Sequence, residues 1–263
     1  MKKVIAICNQ KGGVAKTTTT VNLGIGLVKE GYKVLIVDAD PQGNTTQALG
    51  YYDFEYSLAE GLNLAMSSDN TENLDVSAQF ILSHEEGVDL IPANITLAAT
   101  EAALVTAMSR ETTLKRFLYD FIGIEEYDYV IIDGLPSLTM LMQNILVAAD
   151  DVIIPIQPEY FASLGLVQLI ETIKRIKRRI NPKLSIAGIL FTIVESKFML
   201  NREIIESVSE VFGDNIRIFD TQIPKSAHVA KAPPKGISVY KYAPKCKGSI
   251  AYKKFTKEVI DNV

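Results

Sequence analysis

A doubly wound α/β fold, with a mostly parallel sheet and helices on both faces, is predicted by three features of this sequence. Short apolar, β-rich runs alternate with helix-period segments almost from end to end. Most of these runs are apolar throughout, as strands covered on both faces must be. A Lys- and Gly-rich loop joins the first run to the first helical segment, which is the setting a phosphate-binding loop requires.

The elements follow in order. Val4–Cys8 is the first strand, and Val21, Gly24, Ile25 and Val28 recur at helical spacing after it. Val34–Asp38, Val88–Ile91, Tyr129–Asp133, Val152–Ile156 and Ile186–Phe191 are the further strands. Between the last two, Val167, Ile170, Ile173 and Ile180 form an apolar stripe, with Lys174, Arg175, Arg178 and Arg179 around the other side. Such alternation implies right-handed crossovers. The Pro- and Lys-rich stretch Ile223–Gly248 reads as an extended loop before a last helix near Ser249–Asn262. With no repeat, low-complexity segment or flexible linker, one domain over residues 1–263 is expected.

Composition narrows the class. Hydrophobic residues make up 48% and charged residues 22%, ordinary for a globular chain. No apolar run reaches the length of a membrane span, and the run after the two N-terminal lysines is too short for a signal peptide. Cys8 and Cys246 are too few for a disulfide framework or a metal cluster, so a reducing cytoplasm is expected, with Cys8 a small core residue. The net charge of −4 hides an asymmetry: residues 165–263 carry 18 Lys+Arg against 9 Asp+Glu. A basic second part points to an anionic partner.

The most informative segment is Asn9-Gln10-Lys11-Gly12-Gly13-Val14-Ala15-Lys16-Thr17-Thr18. Its small residues let the backbone wrap phosphates, and the helix N-terminus behind them adds positive potential. In such a loop Lys16 reaches the β- and γ-phosphates and the Thr17 hydroxyl ligates Mg²⁺. The strict phosphate-loop pattern fails at both glycines, which are Gln10 and Ala15 here.

The variant KGGVAKTT closely resembles KGGVGKTT, the deviant loop of the ParA/MinD family of ATPases. VDADPQGN (Val37–Asn44) resembles that family's switch motif. VIIDGLPS (Val130–Ser137) is similar to its second nucleotide-site strand, often IIDCPPS. IPIQPEY, around Pro155, and IPK…APPKG (Ile223–Gly236) look like two later blocks, so the resemblance spans nearly the whole chain. It implies an ATP- and Mg²⁺-dependent ATP hydrolase. Lys11 through Thr18 would bind nucleotide, and Lys11 would reach the partner's phosphates in a homodimer that sandwiches ATP. Asp40 would orient the attacking water, Asp38 would support the Mg²⁺ shell, and Asp133 would hold Mg²⁺ through water. Two departures bear on rate. Ala15 replaces a glycine, which strains the loop if φ is positive there, and Gly134-Leu135 replaces Cys/Thr-Pro, which is expected to loosen that turn.

Within the family, the resemblance favours a ParA-like partitioning ATPase that binds DNA non-specifically when ATP-bound and answers to a ParB-like activator. It would be associated with the nucleoid. The alternatives are a MinD-like membrane ATPase or an ATPase positioning a protein cargo. Glu258 and Asp261 in the last helix suit an anionic membrane poorly, so no stable membrane association is expected. A reductase like nitrogenase iron protein would need cysteine pairs that this chain lacks. With the loop following directly on the first strand, no N-terminal helix-turn-helix is expected. Lys174, Arg175, Arg178 and Arg179 are the candidate DNA contacts, together with Lys225 and Lys231. The last two fall in the block where the resemblance places DNA contacts, although the family more often has Arg and an acid there.

Overall fold

Each apolar run forms a strand, and its alternate residues feed two separate cores. Val4, Ala6 and Cys8 belong to one core, and Ile5 and Ile7 to the other; Leu35 and Val37 part from Val34 and Ile36 in the same way. Alternation inside a run that is apolar throughout means that both faces of the sheet are covered. The structure, a computed structural model, describes residues 2–67, 76–159, 162–195 and 197–263.

The strands are β1 (Lys3–Ile7), β2 (Val34–Ala39), β3 (Leu82–Ser83), β4 (Asp89–Ile91), β5 (Tyr129–Gly134), β6 (Asp151–Ile156) and β7 (Ser185–Phe191). Among the described residues they form one seven-stranded sheet in the order β3-β4-β2-β5-β1-β6-β7. Every neighbouring pair is parallel except β3–β4. The helices are α1 (Lys16–Lys29), α2 (Asn44–Ala48), α3 (Leu58–Ser67), α4 (Ser77–Phe80), α5 (Leu97–Leu104) and α6 (Thr113–Arg116). After them come α7 (Met140–Ala148), α8 (Ala162–Arg179), α9 (Met199–Phe212), α10 (Ala227–Lys231), α11 (Val239–Tyr242) and α12 (Lys247–Asn262).

One core takes Leu23, Ile25 and Leu27 of α1 with Tyr252, Phe255 and Val259 of α12. The other takes Leu58 and Leu62 of α3, Leu141 and Ile145 of α7, and Leu169 and Ile173 of α8. Each such buried side chain contributes about 1.5–3 kcal/mol. Ala251, Tyr252, Phe255 and Val259 of the last helix therefore face the body of the protein, while Ile250 is exposed. Its Glu258 accepts the backbone N–H groups of Asp220 (2.7 Å) and Thr221 (3.0 Å). No helix among the described residues is long and apolar enough to cross a membrane.

Pro155 sits in an inner strand, where its missing N–H would usually break a ladder. Here β1 pairs with β6 only as far as Ile7–Ile153, so no ladder bond from β1 is lost at Pro155. The Asn9 side chain instead donates to the Pro155 carbonyl at 2.8 Å, tying the phosphate loop to β6.

Three expectations need correction. Ile223–Gly248 is not an extended loop: it holds α10, a 3₁₀ turn at Pro233–Lys235, α11 and the start of α12. Pro at the start of a helical turn loses no hydrogen bond, and Ser238 caps α11 by accepting from the Lys241 N–H, so turn-like composition builds short helices here. Val167 and Ile180 do not join the core stripe of α8; they are 43% and 38% exposed, while Leu166, Leu169, Ile170, Ile173 and Ile176 are buried. Finally, Gly134 belongs to the strand and not to the turn after Asp133. It is the last residue of β5, paired with Ala39, and a Cβ there would lie 3.0 Å from the Ile7 carbonyl and 3.1 Å from Cys8 Sγ. Glycine permits close strand packing at this point, and Leu135 after it is buried.

Candidate active site

β1 delivers the chain to a loop that is pinned at both ends. Asn9 is buried and its side-chain oxygen accepts the Lys11 N–H at 2.9 Å. At the other end Val14 is buried, and its carbonyl accepts the Thr192 hydroxyl at the end of β7 (3.0 Å). Between these pins Gly12 and Gly13 are exposed at the crown. Ala15 then takes φ 62° and ψ 33°, a left-handed conformation unusual for a residue with a Cβ, and α1 starts at Lys16. The first amides of α1 lack intrahelical partners and its first turn carries no acid, so this end attracts anions.

The two lysines of the loop differ. Lys16 is buried, and its ammonium donates to the Lys11 carbonyl at 3.1 Å. Burial lowers its pKa, and nearby Asp133 opposes that shift. Lys11 projects outward, with its ammonium on the Glu159 carboxylate. Tyr160, the last residue of the IPIQPEY block, lies outside the described residues. Cys8 is a buried core thiol, pushed up to about 12 by burial.

Asp38 and Asp133 are register partners on β2 and β5, both buried. Asp133 accepts the hydroxyls of Thr17 (2.8 Å), Thr45 (2.6 Å) and Thr20 (3.2 Å). Asp38 accepts the N–H (2.8 Å) and hydroxyl (2.7 Å) of Thr46 and the N–H of Asp40 (3.2 Å). Burial raises both carboxyls, and the charge of Asp133 raises Asp38 further. A cation beside this pair would relieve that strain. No group of three or more His, Cys, Asp or Glu among the described residues could hold a metal unaided. The donors fit Mg²⁺, which takes few protein ligands and completes its shell with water and phosphate oxygens.

A cleft of about 660 Å³ opens over the loop. Gly12, Gly13, Ala15, Lys16, Thr17 and Thr18 line it, as do Asp40, Asn44, Gln47 and Ala48. Pro136, Ile193, Pro233, Pro234 and Tyr52 complete it. Asp38, Asp133 and Val14 are buried and do not line it, and Lys11, turned outward onto Glu159, does not line it either. Thr45 and Thr46 went unpredicted, although they follow directly on the VDADPQGN motif. Ile193 also went unpredicted; it is a β-branched residue at φ 55°, strain of the kind that gathers at functional sites.

The candidate DNA contacts do not form one patch. Lys174, Arg175, Arg178 and Arg179 are exposed on the C-terminal half of α8, which leads to the start of β7. Lys225 lies beyond the other end of β7, its N–H on the Val194 carbonyl (3.0 Å) and its ammonium on Glu195 (2.9 Å). Lys231 ends α10, just before the prolines of the cleft.

A pinned Lys/Gly loop between a strand and a helix, with an aspartate pair at the ends of neighbouring parallel strands, defines a P-loop nucleoside triphosphatase. Comparison with known proteins agrees. The AAA domain family matches residues 2–186. Sporulation initiation inhibitor protein Soj of Bacillus subtilis is 41% identical over 262 residues, covering 100% of both chains. Chromosome partitioning protein ParA of Caulobacter vibrioides is 38% identical over 267 residues, covering 98% of this chain and 94% of its own. Among solved structures, cobyrinic acid a,c-diamide synthase from Mycobacterium smegmatis, with bound ATP analog and magnesium, is 35% identical. It superposes with a TM-score of 0.82 over 98% of this chain and 93% of that one. The chain belongs to the ParA/Soj family of P-loop ATPases.

The left-handed conformation of Ala15 is open to a kinetic test. Ala15→Gly is expected to raise turnover by about tenfold or less, since one decade in rate is about 1.4 kcal/mol and relieving one Cβ is worth no more. Steady-state hydrolysis at saturating ATP measures it. An unchanged or lower rate would show that the loop accommodates alanine without loss.

Proposed function

We propose that this single-domain chain is a Mg²⁺-dependent, ATP-gated dimer switch for chromosome or plasmid partitioning, which binds DNA non-specifically when ATP-bound. The observation that carries the reading is the division of labour between two lysines on one loop. Lys16 is turned inward beneath the crown, where it would meet the phosphates of its own chain. Lys11 is turned outward, where a second copy of the chain could receive it. A lysine supplied by the partner would neutralise charge on the transferred phosphoryl group.

The other residues take roles from their places. The amides from Gly12 to Thr18 would cradle the phosphates. Thr17, backed by Asp133, would hold Mg²⁺, whose charge offsets that of the phosphate oxygens when bound. Asp40, at the edge of the cleft, would orient the attacking water. Asp38 spends its oxygens on Thr46 and the Asp40 N–H, so its part is to hold α2 and the switch loop beside the metal site. Names of the relatives support a partitioning role, and a ParB-like activator would be the protein partner. The ATP analog and magnesium of the Mycobacterium smegmatis structure support the choice of ATP and Mg²⁺.

For DNA, the basic groups supply affinity without sequence reading. Each neutralised phosphate adds about −0.9 to the slope of log K against log salt. Dimerisation doubles every patch and so adds avidity, which is why ATP would gate binding. Because the two basic groups sit beyond opposite ends of β7, they can be tested apart. Reversing Lys225 and Lys231 to Glu, and separately Arg178 and Arg179, is expected to abolish retention of duplex DNA while ATP binding persists. Pelleting with DNA, and in parallel with anionic liposomes, with and without ATP, measures this. A wild-type dimer with no salt-sensitive DNA retention at low ionic strength would overturn the DNA reading, and retention by liposomes instead would favour the membrane alternative.

A further inference from the structure

The β3–β4 hairpin forms one edge of the sheet, and the phosphate chemistry gives it no part. The His84 N–H donates to the Val88 carbonyl (2.8 Å) and the Gly87 N–H to the His84 carbonyl (2.8 Å). Gly87, at φ 89°, supplies the left-handed residue that a three-residue hairpin loop needs. The side chains of this turn converge on one distant segment. His84 is buried, and its Nδ1 accepts the Glu86 N–H at 3.2 Å. A backbone N–H can only donate, so the ring proton is on Nε2, which donates to the Gly236 carbonyl at 2.9 Å. Glu86 accepts the N–H (2.7 Å) and hydroxyl (2.6 Å) of Ser238, and Glu85 pairs with Lys241 at 2.7 Å.

That segment leads directly to the cleft. The Gly236 N–H donates to the Pro233 carbonyl (2.8 Å), closing the turn whose Pro233 and Pro234 line the cleft. The hairpin also holds a second wall. Tyr51 follows α2, whose Asn44, Gln47 and Ala48 are cleft residues, and its hydroxyl donates to the Ser83 carbonyl at 2.7 Å. The two walls touch at Gly50 and Gly236, where a Cβ on Gly236 would lie 2.8 Å from Gly50 Cα. Both glycines have positive φ, 83° and 67°.

We infer that His84 is a positioning residue: by holding Gly236 to a hairpin that also holds Tyr51, it sets the spacing between the proline wall and α2, and with it the fit of the cleft to nucleotide. The inference rests on the cleft being the ATP site. The hydrogen bonds and ring contact of His84 go to Gly236, Glu86, Gly87, Val88 and Tyr51 and not to the phosphate loop, so its effect is expected on affinity more than on the chemical step.

Side-chain shape provides the test. Glutamine places an amide donor near the position of Nε2, whereas asparagine keeps a group near Nδ1 and cannot reach Gly236. His84→Ala and His84→Asn are expected to raise the Kd for ADP with Mg²⁺ by about tenfold, equivalent to about 1.4 kcal/mol, while His84→Gln stays within about twofold of wild type. The rate at saturating ATP is expected to change by less than the affinity. Tyr51→Phe, which removes one hydroxyl and preserves packing, is expected to move Kd in the same direction, and it carries the test if the histidine variants fail to fold. Calorimetry gives Kd, and thermal melting reports stability separately. Wild-type protein that binds no nucleotide would overturn the ATP site itself and the inference with it. Nucleotide-binding wild type with unchanged affinity in the folded asparagine or phenylalanine variant would overturn the positioning role alone, whatever the change in Tm.

Discussion

Lys16→Ala is expected to lose ATP binding outright. The side chain is only 8% exposed and lies between the loop backbone and the Asp133 carboxylate, so no neighbouring lysine can take its place. Lys11 is turned away onto Glu159. Truncation removes the one cation that, among the described residues, is buried with the aspartate pair, so negative charge would face the incoming phosphates uncompensated. In wild type, ATP at a hundred times its Kd stabilises the fold by about 2.7 kcal/mol, a shift easily read in a melting curve. The variant is expected to melt at one temperature with and without ATP and Mg²⁺. A full ATP-induced shift in Lys16→Ala would place the nucleotide elsewhere.

The parts of the fold and site that were legible in the sequence are those built from residues close along the chain. Val34 to Asp38 reads as a strand because alternate side chains fill two cores, so the run is apolar throughout. Lys16 and Thr17 are legible because loop, lysine and hydroxyl share one turn of chain. Asp133 is legible because it ends an apolar run within VIIDGLPS, the segment that resembles the family's second nucleotide-site strand. β3 was illegible for the opposite reason: Leu82 and Ser83 carry no pattern, and only pairing with β4 makes them a strand. The same holds for the cleft walls. Thr192 and Val14 are 178 residues apart yet share a hydrogen bond, and Ile193 and Pro233 reach the cleft only through the strand order.

Composition misled where several structures share it. Prolines and lysines in Ile223–Gly248 suit a loop, but Pro233 is equally suited to open a helical turn. For α8, Val167 and Ile180 fit a helical period as well as their neighbours do. Which side of the helix is covered depends on β6, β7 and α7, and that is tertiary information. Net charge similarly sums lysines that the fold sends to opposite ends of one strand.

Asp40→Ala is expected to bind ATP, remain dimeric in its presence and fail to turn it over. Asp40 lines the cleft, whereas Asp38 and Asp133 are covered by threonine hydroxyls, so it is the acid of the three best placed for a water molecule. Losing a group that acts only in the transition state lowers turnover without lowering affinity; a fall of a hundredfold corresponds to about 2.7 kcal/mol. Asp40 has a second duty that alanine also removes, since its Oδ1 accepts the Gln42 N–H at 2.9 Å and orders the switch loop. Asp40→Asn separates the two, because an amide oxygen keeps that bond while the carboxylate charge is gone. Both variants are expected to be inactive, and asparagine is expected to bind ATP at least as tightly as alanine. Light scattering with ATP and Mg²⁺ follows the dimer, and phosphate release follows turnover. Hydrolysis at the wild-type rate in Asp40→Asn would remove Asp40 from the chemistry, and wild-type chain that stays monomeric while saturated with ATP would overturn the sandwich dimer that gives Lys11 its role.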